Sequence, residues 1–219
     1  MIGPGRERYA LFSDDVHINL ALFPPTYVDL ITNDAGTTAI FRRGVLVLID
    51  KTGALTAALD QVPDRSPASP PTPDQFADLV NTFFFNTVWT AKRLHRGDLW
   101  RTLMMLEAHM KVGGLLPMLE WHARARHGPD HDTWYGGRFL DQWADLRAVA
   151  AFPATFAAYD RAEIVHALLA TVDLFRSLAR ETATILGYPY PQTTDDAVAA
   201  WLQQHLPNAD PHINERPRR

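Results

Sequence analysis

The chain has 219 residues, a formal net charge of -4 and no cysteine, with 47% hydrophobic and 21% charged residues. That is the balance of a globular protein able to bury one large core or two small ones. The missing cysteines exclude disulfides, thiolate metal sites and thiol nucleophiles. The acidic balance argues against sequence-independent nucleic-acid binding, which needs a basic excess. No apolar run approaches the ~18 residues of a spanning helix, and the first residues show no charged-then-apolar leader pattern, so the expectation is a cytoplasmic chain with no membrane partner.

The first 61 residues read as strands and turns. "RYALF" (8–12) and "VHINLALF" (16–23) flank "SDD", whose side chains favour a short turn, and so predict a hairpin. In the second segment Val16, Ile18, Leu20 and Leu22 share one face, and His17, Asn19, Ala21 and Phe23 share the other. A short helix is expected near 26–32. The β-branched run "VLVLID" (45–50), closed by "KTG", predicts a third strand.

Residues 62–73, "VPDRSPASPPTP", hold five prolines in twelve positions and read as an extended linker. Beyond them every signal is helical. Thr72, Pro73 and Gln75 fit an N-cap, an N1 proline and a capping-box partner. Phe76, Val80, Phe83, Phe84, Thr87, Ala91 and Leu94 then follow the helical period as a core stripe. Gly97 ends that helix and Asp98 caps the next, with Leu99, Leu103, Leu106 and Met110 facing inward and a break at Gly113–Gly114. Asp160 and Glu163 repeat the capping box for a long helix ending at Gly187, and Thr194 caps a last helix to about Leu206. The result is a bundle over 74–206, with 207–219, including the basic "ERPRR", as a flexible tail.

The most site-like pattern lies on the first bundle helix. Asn81, Phe85, Trp89, Lys92 and Arg96 share a face distinct from the core stripe, and rings beside cations suit a stacked base or sugar and a gripped phosphate. The competing reading buries Phe85 and Trp89 in another layer while the cations reach water. Asp98 is either a base for a substrate hydroxyl or simply the N-cap. "HARARHGPDHD" (122–132) collects three His and two Asp, but His122 and His127 are one position off the helical step for shared ligation, which favours a solvated turn and no metal site. No GxSxG, Walker or GxGxxG motif is present.

"FNTVWTAKRLHRGDLW" (85–100), the upstream "LFSDDVHINLALFP" and "VLVLIDKTG", and the downstream "LLPMLEW" and "LARETATILGYPYP" are collinear. In order and spacing they resemble the aminoglycoside 6-adenylyltransferase (streptomycin adenylyltransferase) family, from about Tyr9 to Leu206. The resemblance implies a nucleotidyltransferase sheet followed by a helical bundle, with MgATP and an aminoglycoside in the cleft between them. It implies attack of a drug hydroxyl on the α-phosphorus, giving adenylylated drug and pyrophosphate, a resistance activity. Metals neutralise charge in such chemistry, and the family takes its ligands from a Gly-Ser loop, a nearby Asp-x-Asp pair and a third Asp.

This chain departs from that pattern. It has no Gly-Ser dipeptide, its one Asp-x-Asp is Asp130–Asp132, and the third carboxylate position matches Asn19, a degenerate ligand that neutralises no charge. Asn81, Lys92 and Arg96 match polar positions of the family helix, and Asp98 an acidic one. The expectation is therefore an α+β chain: a partial nucleotidyltransferase-like sheet over 1–61, lacking the N-terminal part of that domain, followed by the bundle. Mg2+ and ATP binding is expected to be weak or absent, and the chain inactive by itself. The rival readings are a truncated gene model of an active enzyme and a non-catalytic nucleotide- or aminoglycoside-binding module. Completion by another chain across an exposed sheet edge is a further possibility.

Overall fold

The computed structural model describes residues 6–62 and 68–206, in two units that divide after Pro67. In the first unit, β1 (Arg6–Leu11) and β2 (His17–Leu22) form the antiparallel hairpin that alternation predicts, with Tyr9 opposite Asn19. The turn places Asp14 and Asp15 at positive φ, a conformation that short polar side chains tolerate. Both faces of the ribbon are exposed.

Three short helices follow: α1 (Val28–Asn33), α2 (Ala35–Phe41) and α3 (Ala54–Leu59). Helix α1 packs on the other two around Ile31, and Phe23 stacks on Tyr27 at 4.0 Å. The carboxylate of Asp34 caps α2 by accepting from Thr37 N at 2.8 Å. Asp50 does the same work before α3, accepting from Gly53 N and Thr56 N, both at 2.9 Å. These donated hydrogen bonds hold both carboxyls below their ordinary pKa, because they stabilise the charged form.

The third strand expected over 45–50 does not form. The segment is irregular, and Leu46, Leu48 and Ile49 are 81%, 84% and 77% exposed. A β-branched run becomes a strand only when a neighbour takes up its backbone N–H and C=O groups. Among the described residues the sheet has two strands, β1 and β2.

The second unit is helical. Helix α4 (Pro73–His95) opens with the expected capping box: Gln75 N donates to the Thr72 hydroxyl at 3.2 Å, and Thr72 N donates to Gln75 Oε1 at 2.9 Å. All seven positions of its predicted core stripe are buried. Gly97, at φ +79°, ends it. Then α5 (Leu99–Met104), a π-helical segment (Met105–Leu115) and α6 (Leu116–His127) run on without the interruption expected at Gly113–Gly114. Helix α7 (Leu140–Trp143) and α8 (Leu146–Ala151) are short. Helix α9 (Arg161–Leu186) is capped by Asp160 and closed at Gly187, φ +71°. Helix α10 (Gln192–His205) starts two residues before Thr194, which therefore lies inside it and is not its cap. Of the predicted linker, residues 63–67 lie outside the described residues, as does the whole predicted tail 207–219.

Gly114 admits a close packing contact and does not break the helix. A Cβ there would stand 2.7 Å from Phe83 Cδ2, whereas one at exposed Gly113 would meet nothing within 4 Å. Phe83 has no room to retreat: its ring lies face to face on Phe175 of α9, centroids 3.6 Å apart and 4° between planes, with Phe84 edge-on to both. Helix α10 is held to α9 by a buried ion cluster. Asp195, fully buried, accepts from Arg180 at 2.5 Å and from the Tyr190 hydroxyl at 2.8 Å. Arg176 Nε lies 2.5 Å from the other oxygen but without hydrogen-bond alignment. Burial together with the neighbouring carboxylate pushes the Tyr190 hydroxyl well above its ordinary pKa.

Two stability outcomes follow. Gly114→Val should cost about 1–3 kcal/mol by overpacking, while Gly113→Ala should be neutral or slightly stabilising, as urea titration of both variants will show. Asp195→Ala should lose about 1–3 kcal/mol, because it leaves the Tyr190 hydroxyl and the part-buried Arg176 guanidinium without their acceptor; a loss below about 1 kcal/mol would contradict the clamp.

Candidate functional site

The outward face of α4 carries the set expected from its spacing. Asn81, Lys92 and Arg96 are exposed and Trp89 is half-buried. Phe85 is 68% exposed, so its ring is not buried in another layer. The structure adds three residues to the cationic end. The guanidinium groups of Arg93 and Arg101 lie 4.9 and 6.0 Å from the Trp89 ring centroid, and Lys92 Nζ lies 5.7 Å from the Trp201 ring of α10. The reversal at Gly97 is what returns α5 and Arg101 to the end of α4.

Asp98 stands at the N-cap position of α5, but only its backbone acts there, accepting from Thr102 N at 3.1 Å and the Thr102 hydroxyl at 2.6 Å. Its carboxylate turns away to Arg93, 3.6 Å distant. The side-chain cap expected at Asp98 is therefore absent, and an ion pair takes its place. A part-exposed carboxylate paired with a guanidinium near a tryptophan is compatible with proton transfer to or from a bound hydroxyl.

At the N-terminal end of the same face, a cavity of about 610 Å³ opens beside Pro70–Pro71, with Asp78, Thr82 and Trp121 on its walls. A second cavity, about 370 Å³, lies between α8 and α9 and is rimmed by Asp145, Arg147 and Glu181 over a floor of alanines and leucines. Arg147 bridges the two carboxylates, at 3.1 Å to Asp145 and 2.9 Å to Glu181. Arg126 approaches both, and Glu181 also meets the buried His122 imidazole at 3.1 Å. Hydrogen bonds from Arg147 hold Asp145 at about 2 and draw Glu181 down as well.

The histidine-rich stretch does not form a centre. His122 is turned inward to Glu181, while His127 and His131 pair with each other at 4.8 Å and His131 bonds Trp143 O. Among the described residues no three His, Cys, Asp or Glu side chains could hold a metal. Asn19 is exposed on β2, and its face of the ribbon offers one carboxylate, Glu7, which is occupied by the Tyr9 hydroxyl. An amide and one engaged carboxylate do not fit the hard, charge-neutralising site that Mg2+ with phosphates requires.

These positions lie within a continuous match to the streptomycin adenylyltransferase family over residues 6–205. The chain belongs to that family. It is similar in fold to the crystal structure of an aminoglycoside 6-adenyltransferase from Bacillus subtilis, at 18% identity and a TM-score of 0.58, covering 94% of this chain and 73% of that one. No curated protein matches the chain. Family membership makes it a streptomycin adenylyltransferase-like protein, and the structural neighbour supports its α+β nucleotidyltransferase-like fold.

Sequence reasoning missed Arg93, Arg101 and Trp201. Arg93 lies in the same motif as Trp89, and its i+4 spacing was a usable signal; Arg101 and Trp201 reach the site only through tertiary packing. It also missed the Asp145–Arg147–Glu181 cluster, whose members are far apart in the chain.

That cluster makes stability depend on pH. Both carboxyls have folded-state pKa values below their unfolded ones, so their contribution is complete above the ordinary carboxylate pKa near ~4 and is lost as pH falls toward about 2. Melting temperatures measured from pH 7 to pH 2.5 should fall most steeply below pH 4. In Arg147→Ala the slope between pH 4 and 2.5 should flatten.

Proposed function

We propose that these residues form the ligand-holding part of an aminoglycoside adenylyltransferase-type protein, and that the 219-residue chain binds nucleotide and drug without transferring AMP. The observation that carries the reading is the exposed cationic-aromatic end of α4: Trp89 between Arg93 and Arg101, with Lys92 and Arg96 exposed beside it. An adenine or sugar ring stacks favourably on such a surface, and a triphosphate pairs with its guanidinium and ammonium groups. Asn81 and Phe85 extend the same face toward the drug. In this reading Asp98, paired with Arg93, accepts a hydrogen bond from a hydroxyl of the bound drug.

The acids among the described residues do not make a charge-neutralising metal site. Asp132, one half of the chain's one Asp-x-Asp, accepts a hydrogen bond from Trp134 N at 3.0 Å, and Asn19 supplies no charge. The fit of the Asn19 face to Mg2+ is poor, since its carboxylate, Glu7, is engaged by Tyr9.

Calorimetry with ATP should give a measurable affinity that drops about ten-fold or more in Lys92→Ala/Arg96→Ala, the loss of about 1.4 kcal/mol or more expected for charge-assisted contacts. Equal affinity in the double variant would remove the nucleotide assignment. Mass spectrometry of streptomycin incubated with MgATP and the chain should detect no adenylylated drug, either for the wild type or for Asn19→Asp. Product from either protein would overturn the non-catalytic reading.

A further inference from the structure

The cavity at the N-terminal end of α4 has the character of a built site that the cationic end lacks. Its walls are fixed from behind. The Tyr188 hydroxyl donates to Pro71 O at 2.6 Å, and Tyr188 and Trp121 both pack against the fully buried Phe76, with ring centroids 5.9 and 6.5 Å away. Gln75 is held by its oxygen in the capping box, which leaves its amide NH2 for the hollow. Ser69, Asp78 and Thr82 also line it, and none of their three side chains makes a hydrogen bond or ion pair among the described residues. An apolar wall with a few convergent polar groups, rigidly supported, is how small-molecule sites are made.

The kind of ligand follows from the donors and acceptors. Two hydroxyls and an amide suit a ring bearing several hydroxyl groups, whose apolar faces can lie on proline and tryptophan surfaces. Asp78 is the one charged side chain of the lining, so a positive substituent is favoured and a phosphate is repelled. About 610 Å³ is within the range of pockets for drug-sized molecules. Asp78 and Lys92 are fourteen residues apart on one helix, a rise of about 21 Å, so this hollow is separate from the cationic end.

We propose that this hollow binds an amino- or guanidino-substituted sugar or cyclitol ring of the aminoglycoside, with Asp78 on the cationic group and Gln75, Thr82 and Ser69 on hydroxyls. The remaining rings extend along Asn81 and Phe85 toward the opposite end. The proposal rests on the aminoglycoside reading for its ligand and adds the place where that ligand is recognised.

The test uses the full chain, with streptomycin as the probe and sucrose as the neutral control, followed by calorimetry and by the indole NMR signal of Trp121, assigned through Trp121→Phe. Streptomycin should bind, move the Trp121 signal saturably, and bind at least ten-fold more weakly to Asp78→Asn, an exposed substitution that leaves the core intact; sucrose should bind far more weakly. Streptomycin binding with an unmoved Trp121 signal and unchanged affinity in Asp78→Asn would overturn this site while leaving the aminoglycoside reading standing. Sucrose binding as tightly as streptomycin would overturn the role given to Asp78. No streptomycin binding, with ATP binding retained, would overturn both the site and the drug assignment.

Discussion

The helical unit depends on one close approach: the face-to-face contact of Phe83 with Phe175, made possible because Gly114 presents no side chain to Phe83. Close-packed interiors leave little freedom for such a contact to slide or rotate. Fixing Phe83 inward fixes the rotation of α4. Residues at i±3 and i±4 share the inward face with Phe83, so the positions on the opposite side of the 3.6-residue turn point outward, which is why Asp78, Thr82, Phe85, Lys92 and Arg96 line one external face. The π-helical segment serves the same contact, since it carries Gly114 and, one turn earlier, the fully buried Met110 against Thr90. It also buries Lys111, which pairs with Glu107 and lies 3.7 Å from the Phe156 ring centroid; burial lowers its pKa while both contacts favour its charge.

Helix α9 is the second organiser, and it works by charge. Arg161 donates to Leu94 O at the end of α4, Arg176 and Arg180 grip Asp195 of α10, and Glu181 gathers His122 of α6 and Arg147 of α8. One helix thus reaches four others through side chains spaced along its length. Of these contacts, the pairs at buried Asp195 are costly to break singly, whereas the exposed Arg147–Glu181 pair adds little stability. Their effect is to select one arrangement of helices, and through α10 they place Trp201 beside Lys92.

The first unit is built differently. Its short helices are fastened by carboxylate caps at Asp34 and Asp50, with a small apolar centre at Ile31. A hairpin with both faces exposed has little of its own to hold it, since two strands alone are marginal in water. The same physics explains the run at 45–50. Its β-branched composition is a strand signal, yet composition only describes fitness for a half-buried pleated surface, and no ladder is offered there among the described residues. Asn19 belongs to this setting: its facing partner is Tyr9, not a second acid.

What the sequence determined by itself was local and periodic. The hairpin, the capping box at Thr72 and Gln75, the core stripe from Phe76 to Leu94 and the stops at Gly97 and Gly187 each arise from side chains acting within a turn or two of their own backbone. The outward set on α4 was legible for the same reason, because the two faces of a helix are complementary. Family membership was legible in five collinear stretches, one of which, "LARETATILGYPYP", also carries the Arg180, Glu181 and Tyr190 whose roles spacing could not reveal. Tertiary structure decided the rest. Whether two glycines end a helix or admit a ring depends on what faces them; whether Asp98 caps or pairs depends on Arg93 being within reach. The joining of Arg101 and Trp201 to Trp89 and Lys92, and of Asp78 to Trp121, depends on helices distant in the chain meeting in space, which no local period encodes.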